Sequence, residues 1–124
     1  KLFNSDIKDF ITKAEIIQNA KVINNNICLA YTKTETDNIN IVIAQAADEL
    51  LNIKEVEASF VLARKDDRVF ISARSLGNIN VHVLMENLGG GGHRDMAGAQ
   101  LDTSLEKAYE MVKDTIQTCI KEEE

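Results

Sequence analysis

The sequence has no apolar run long enough to cross a membrane, and its first residues form a charged, amphipathic stretch in place of a signal peptide. We therefore expect a cytoplasmic location and no membrane contact by this chain. The chain does not begin with Met, which indicates a fragment. A parent protein tethered to a membrane, with this domain on the cytoplasmic side, stays an open alternative.

Motifs of catalysis and metal binding are missing as well. Cys28 and Cys119 lack a C-x-x-C arrangement and a histidine cluster, so we expect buried free thiols in preference to a disulfide or a zinc site. No Walker-type Gly-Lys-Ser/Thr sequence occurs. His93 and Asp95 are close candidate ligands, but two are too few for a catalytic metal. The chain is therefore predicted to bind a ligand, with no catalytic or metal-ligating residue of its own.

Positive charge is sparse, since the formal net charge is −6. Such a domain is a poor candidate for gripping a long polyanion by electrostatics alone. The arginines are nevertheless concentrated in one part of the sequence, at Arg64, Arg68, Arg74 and Arg94. Positive charge focused in this way is compatible with a short nucleotide. Arg68 falls in a predicted turn and is interpreted as an ordinary surface residue.

What the sequence does contain is regular hydrophobic periodicity, which predicts a single domain over residues 1–124. A helix over 5–18 comes first. Its expected buried face comprises Ile7, Phe10, Ile11, Ala14 and Ile17. A hairpin follows around the asparagines at 24–26, because asparagine tolerates the left-handed conformation. A second helix then begins after the candidate N-cap residues Thr36, Asp37 and Asn38.

The second half of the chain continues this pattern. Alternation predicts a hairpin of strands at 56–63 and 68–75, with Phe70, Ser72 and Arg74 on one face. A short helix, a last strand at 97–101 and a closing helix follow, the last beginning at a capping box over 103–106. The predicted fold is α/β, a mixed β-sheet of about five strands with flanking helices in the order α-β-β-α-β-β-α-β-α.

Four consecutive glycines, Gly89, Gly90, Gly91 and Gly92, precede His93 and Arg94. Because glycine loses much conformational entropy on folding, we interpret the run as a place where side chains would obstruct an anion. Its successive N–H groups would form a concave nest for a phosphate, with the histidine beside it. A helix C-cap or a flexible linker is the structural alternative, and neither needs four glycines.

A second group of polar residues ends the later strand of the second hairpin: Ser72, Arg74 and Ser75. The planar fork of Arg74 suits a phosphate, and the two serine hydroxyls suit its remaining oxygens. From the residues alone, an ordinary surface arginine at the end of a strand is an equally good interpretation.

Three stretches together resemble a known family. They are Ile71-Ser72-Ala73-Arg74-Ser75, Ile79-Asn80-Val81 and Leu88-Gly89-Gly90-Gly91-Gly92-His93, and the likeness extends over nearly the whole chain. The pattern resembles the C-terminal DHH-associated domain of the DHH phosphoesterases, and it is most similar to the cyclic-di-AMP phosphodiesterases of the GdpP type. One departure is Asp95-Met96-Ala97-Gly98, where relatives often carry a run of small residues.

The resemblance implies that the glycine run, His93, Arg74 and Ser72 hold the substrate, a cyclic dinucleotide or a short oligonucleotide. It also implies a separate DHH domain in the same parent chain, whose manganese centre hydrolyses the phosphodiester. No DHH tripeptide occurs here, so we expect no activity from this chain alone. A homodimer stays open, as do an oligoribonuclease or phosphoadenosine-phosphatase type of enzyme and a stand-alone module that binds nucleic acid or protein without catalysis.

Overall fold

The computed structural model of the chain describes the backbone of residues 4–123 and the side chains of residues 6–120. The elements in chain order are α1 (Asn4–Gln18), β1 (Lys21–Ile23), β2 (Ile27–Thr32), α2 (Ile39–Leu50), β3 (Ala58–Lys65), β4 (Arg68–Ser75), α3 (Val81–Glu86), β5 (Gly91–Gly92), β6 (Met96–Leu101) and α4 (Leu105–Glu123). This order confirms the predicted one, with the short strand β5 added inside the glycine run.

The strands form one sheet in the order β1-β2-β3-β4-β6-β5. Strands β2 and β3 are parallel, and the other neighbouring pairs are antiparallel, so the sheet is mixed as predicted. Parallel neighbours cannot be joined by a tight turn, and α2 provides the crossover between β2 and β3.

Helices cover both faces of the sheet. The buried side chains of α2 and Ile16 of α1 form one hydrophobic cluster with one face, whereas residues of α3 and α4 form a second cluster with the other. In β4, Ile71 and Ala73 belong to the second cluster, while Phe70 packs against the first. Ser72 and Arg74 alternate in phase with Phe70, so they lie on the face that carries α2. This confirms the predicted division of β4.

Both predicted hairpin turns are present. Asn24 and Asn25 adopt φ values of 51° and 69°, the left-handed conformation that asparagine accepts more readily than most residues. Asp66 and Asp67 do the same in the second hairpin, with φ values of 51° and 63°. Both aspartates are exposed turn residues.

The predicted helix over 5–18 is confirmed, but four of the five residues of its predicted buried face are exposed, and Ile17 is the one that packs against the core. Thr12 and Ile16 are the buried residues of α1, whereas Phe10 is 66% exposed and Ile11 is 49% exposed. The helix lies beside α2 and reaches the sheet at β2. Tertiary contact therefore selects a stripe next to the most apolar one, which the periodicity of the helix alone does not reveal.

Two helix starts differ in detail from the prediction. Asn38 is the N-cap residue of α2, but its side chain makes no cap hydrogen bond and donates instead to Asp9 Oδ2 at 3.0 Å. At α4 the cap lies one residue later than predicted. The hydroxyl of Ser104, and not that of Thr103, accepts from the N–H of Lys107 at 3.1 Å.

Both cysteines are buried thiols outside any disulfide, as predicted. Burial raises the pKa of the Cys28 thiol, which favours the unreactive protonated form. Within the part of the chain that the structure describes, no helix is long and apolar enough to cross a membrane.

Candidate functional site

The glycine run lies at one edge of the sheet, where part of it forms β5. Gly89 turns the chain out of α3 with a left-handed φ of 83°. Gly91 then pairs with Gly98 of β6, and Gly92 pairs with Ala97. The run is therefore one arm of a hairpin, and its position is fixed by strand pairing.

His93 lies in the tight turn that joins β5 to β6. Its N–H donates to Met96 O at 2.7 Å, and the N–H of Met96 donates to His93 O at 3.3 Å. Met96 is also the cross-strand partner of Arg74 in β4. The structure thus brings two predicted contact residues, an exposed histidine and an arginine, to the same end of the sheet.

The fold itself requires glycine at two positions of the run, because the backbone there lies very close to β6. A Cβ at Gly90 would overlap the carbonyl oxygen of Gly98 and lie 2.7 Å from Ala99 Cβ. A Cβ at Gly92 would lie 2.5 Å from Ala97 Cα, and Gly92 also has a φ of 145°. These two glycines let the hairpin pack against β6, a reason that differs from the ligand approach inferred from the sequence.

Gly91 differs from its neighbours. A Cβ built there meets no atom within 4 Å, and its φ lies outside the left-handed region. Gly89, in contrast, has room for a side chain but keeps the strained φ. Within the run, Gly91 is thus the position where the fold tolerates a methyl group. A bound ligand would occupy the space that this methyl group would fill.

The N–H groups of the run are largely committed. Gly89 donates to Glu86 O at 3.0 Å and Gly90 to Met85 O at 2.8 Å, which terminates α3. Because His93 and Met96 form a bonded pair, the alternation of an antiparallel ladder directs the N–H of Gly92 outward from the edge. The four-residue nest expected from the sequence is therefore reduced to this outer edge, a correction that follows from the capping of α3.

Arg74 is held in place by its neighbours. Its Nε donates to Asp48 Oδ1 at 3.0 Å, and its Nη1 donates to Ala73 O at 2.9 Å. The side chain is 12% exposed, beneath the C-terminal half of α2. A guanidinium has further N–H donors beyond these two, so Arg74 is held in one orientation and still has donors for a ligand.

The two predicted serines lie on opposite faces of β4. Ser72 shares the face of Arg74 and stands directly across from Gly98. Ser75 is buried on the other face, where its hydroxyl accepts from the N–H of Gly77 at 2.9 Å. The structure therefore brings Ser72 and Arg74 together, whereas the hydroxyl of Ser75 stabilises the turn that follows β4.

A cleft of about 580 Å³ runs between α2, the sides of β4 and β6 that face α2, and the start of the glycine run. Its lining includes Asn40, Ile43, Arg68, Phe70, Ser72, Gly89, Gly90, Gly98 and Gln100. Sequence reasoning missed the polar residues Asn40, Arg68 and Gln100. Alternation along β6 would have put Gln100 in phase with Gly98, but the pairing of β6 with β4 is a long-range contact that alternation does not give.

Arg94, which sequence analysis grouped with the glycine motif, serves as a brace. Its Nε donates to Gly77 O at 2.6 Å and its Nη2 to Asn78 O at 3.4 Å. Asn78 also donates to Glu57 Oε1 at 2.8 Å, and Asn26 donates to Glu57 Oε2 at 2.8 Å. The hydrogen bond from Asn78, followed by that from Asn26, lowers the pKa of Glu57 despite some opposing desolvation.

Asn80 belongs to the same support. Its Oδ1 accepts from the N–H groups of His82 and Val83 at 3.1 and 3.4 Å, which caps α3. The N–H of Val81 donates to Arg94 O at 3.0 Å, so the start of α3 is tied to the hairpin turn. Arg94 and Asn80 therefore hold the β5–β6 turn in place by linking it to the loop before α3 and to the start of α3.

Metal chemistry has no counterpart among the side chains of residues 6–120. They contain no group of three or more His, Cys, Asp or Glu residues that could hold a metal ion. The functional groups that these residues offer are donors for an anion and a polar cleft.

The chain is similar to known proteins along most of its length. The chain is 42% identical over 120 residues to cyclic-di-AMP phosphodiesterase GdpP of Bacillus subtilis (strain 168), covering 94% of this chain and 18% of that protein. It is 36% identical over 110 residues to cyclic-di-AMP phosphodiesterase PdeA of Listeria monocytogenes serotype 1/2a (strain 10403S), covering 87% of this chain and 17% of that protein. The chain thus spans less than a fifth of the length of these relatives.

The fold is also found in an exopolyphosphatase-related protein from Bacteroides fragilis, with a TM-score of 0.79 and 21% identity over 95% of this chain and 36% of that chain. A family model described as the DHHA1 domain matches residues 24–122. Because this match covers most of the chain and agrees with the relatives, the resemblance seen in the sequence is confirmed, and the chain belongs to the DHHA1 domain family.

Proposed function

We propose that this chain is the substrate-recognition domain of a cyclic-di-AMP phosphodiesterase. In this proposal a DHH domain of the same parent chain supplies the manganese centre that hydrolyses the phosphodiester. The observation that carries the proposal is the 42% identity, over 94% of the chain, to a protein named for that activity. The geometry supports it, because the described side chains offer anion donors without a metal-ligand cluster.

The donors form a row along one face of the sheet. Arg74 stands across from Met96, and Ser72 stands across from Gly98 two residues further along. His93 lies beside Met96 at the end of this row. A phosphate at this end would meet the guanidinium and the imidazole together, and charge-assisted hydrogen bonds from arginine are among the strongest that a protein makes.

Gly91 has a distinct part in this proposal. It lies opposite Gly98 and leaves open space where any other residue would place a Cβ. A ligand can therefore approach the backbone of the hairpin closely. The fold needs Gly90 and Gly92 for its own packing, so approach of the ligand is the role that we assign to Gly91.

Short ligands suit the charge of this domain better than long ones. The chain as a whole has a formal net charge of −6, whereas Arg74 and His93 place donors at one end of the sheet. A long strand would have to cross acidic surface, which weakens its binding. We expect the isolated chain to bind a cyclic dinucleotide weakly, because the opposing wall of the site belongs to the DHH domain in this proposal.

The test is hydrolysis of cyclic-di-AMP by the longer parent protein that contains this chain. Arg74→Ala and His93→Ala should each lower kcat/KM by roughly 10- to 100-fold, the usual cost of a hydrogen bond to a charged group. The matched control is Arg64→Ala, since Arg64 is paired with Asp67 in the hairpin turn and lies outside the row. Thermal unfolding of each variant distinguishes lost recognition from lost folding.

Three outcomes would contradict the proposal. Unchanged turnover in both Arg74→Ala and His93→Ala would remove these residues from recognition. Faster hydrolysis of linear than of cyclic dinucleotides would favour the oligoribonuclease or phosphoadenosine-phosphatase type. Tight binding of long single strands, with a steep dependence on salt, would favour a nucleic-acid-binding module.

A further inference from the structure

We infer that the cleft between α2 and the glycine hairpin holds one nucleobase of the dinucleotide, and that the amide of Gln100 donates a hydrogen bond to an acceptor on the base edge. This inference rests on the proposed function, which places a phosphate near Arg74 and His93. It adds a specificity-determining residue that lies at the opposite end of the row.

The spacing along the sheet suits a nucleotide. Phe70 and Gln100 are cross-strand partners in the same row, four residues along β4 from Arg74. At about 3.3 Å per residue, the two ends of the row are about 13 Å apart. Ser72 and Gly98 lie between them, and their small side chains leave a hollow in the face of the sheet. A ligand with its phosphate at Arg74 can therefore extend along the hollow into the cleft.

The orientation of the Gln100 amide is fixed by Arg68. Arg68 Nη1 donates to Gln100 Oε1 at 3.0 Å, and Arg68 Nε is paired with Asp102 Oδ1 at 3.1 Å. A guanidinium can only donate, so the amide oxygen must face Arg68 and the amide nitrogen must face away from it. Gln100 is thus held as a hydrogen-bond donor at the cleft, and the ring nitrogens and carbonyl oxygens of purines are acceptors.

The other walls suit a flat, partly apolar group. Phe70 supplies a partly exposed aromatic ring, and bases stack readily on such rings. Asn40 adds a second amide from the side of α2. The cleft of about 580 Å³ falls within the range of roughly 300–1,000 Å³ that is usual for small-molecule sites. The cation of the lining, Arg68, is already paired with Asp102, whereas the amides and the aromatic ring suit the edge and the face of a base, and this combination favours a nucleobase over a second phosphate.

The experiment is a titration of this chain, followed by amide NMR shifts, with cyclic-di-AMP and separately with inorganic phosphate. We expect cyclic-di-AMP to shift the signals of Gly98, Gln100 and Asn40 together with those of His93 and Arg74, and phosphate to shift only the latter pair. Shifts at His93 and Arg74 alone with cyclic-di-AMP would overturn the base site and leave the proposed function standing. No shifts at either end at millimolar ligand would overturn both.

A pair of variants tests the role of Gln100. Gln100→Leu should weaken the binding of cyclic-di-AMP about five- to tenfold, as expected for one hydrogen bond, and leave the binding of phosphate unchanged. The matched control is Gln117→Leu, because Gln117 is exposed on α4, across the sheet from the cleft. Equal affinity for cyclic-di-AMP in the two variants, with unchanged melting temperatures, would overturn the assignment of Gln100.

Discussion

Gly90 and Gly91 are adjacent, yet the structure gives them opposite tolerance to a methyl group. The Cβ of Gly90→Ala would overlap the carbonyl oxygen of Gly98 and lie 2.7 Å from Ala99 Cβ. Both neighbours belong to β6, which is paired on both sides and cannot move freely. The Cβ of Gly91→Ala meets no atom within 4 Å. One methyl group therefore either disrupts the hairpin or fits it, depending on which of two neighbouring glycines carries it.

The expected changes in the free energy of unfolding have opposite signs for the two substitutions. Overpacking against a backbone atom costs typically about 1–3 kcal/mol, and we expect Gly90→Ala to reach the upper end because a carbonyl oxygen is overlapped. Gly91→Ala should stabilise by about 0.4–1 kcal/mol, since alanine reduces the freedom of the unfolded chain. For a domain of this size, Gly90→Ala should lower the melting temperature by about 10 °C.

Thermal unfolding followed by circular dichroism measures both variants, and a titration with cyclic-di-AMP measures their function. We expect Gly91→Ala to be slightly more stable than the unsubstituted chain and to lose affinity for the ligand, because the methyl group occupies the path of approach. Equal loss of stability in both variants would refute the packing argument. Full affinity in Gly91→Ala would refute the role that we assign to this position.

Three further predictions concern the support of the site and the start of α4. Glu57→Gln should destabilise the chain at neutral pH, because the pKa of Glu57 is lowered by hydrogen bonds from Asn78 and Asn26. The stability due to the carboxylate is present above the ordinary carboxyl pKa of roughly 4.3. It is lost as the pH falls through the lower folded value, so urea unfolding at neutral and at acid pH should show the difference shrink; a difference independent of pH would contradict it. Ser104→Ala should cost about 1 kcal/mol in urea unfolding and Thr103→Ala much less, and the reverse order would restore the cap predicted from the sequence. Arg74→Lys should lower turnover of the longer parent protein nearly as much as Arg74→Ala, because an ammonium cannot bond Asp48 and Ala73 as the fork does; wild-type kinetics in Arg74→Lys would mean that charge alone suffices.

The predicted elements were confirmed where the signal is local. Alternation along β4 separated Phe70, Ser72 and Arg74 from the core residues, since successive side chains of a strand point to opposite faces. The run of asparagines marked a turn because these residues accept positive φ. The prediction of the buried face of α1 was largely wrong because burial there depends on contacts that are distant in the sequence. Phe10 and Ile11 are apolar but exposed, and a single sequence does not say which apolar stripe meets a neighbour.

The candidate site could be predicted in part. Ser72, Arg74 and the glycine motif were found from residue chemistry and family resemblance, and the structure places them near one another. Ser75 was grouped with them although strict alternation already places it on the other face of β4. Asn40 and Gln100 could not be found, because they line the cleft only through the packing of α2 and the pairing of β6 with β4.

The sequence by itself determined the order of the helices and of the strands other than β5, the two hairpin turns, the burial of the cysteines and the family. Each of these depends on residues that are near in the chain or on a motif that can be read directly. Only the tertiary structure decided why the glycines are there. It shows that Gly90 and Gly92 make room for β6, that α3 uses the N–H groups of Gly89 and Gly90, and that Gly91 remains open. The physical reason is that close approach between backbones depends on strand pairing at long range, which local propensity does not encode.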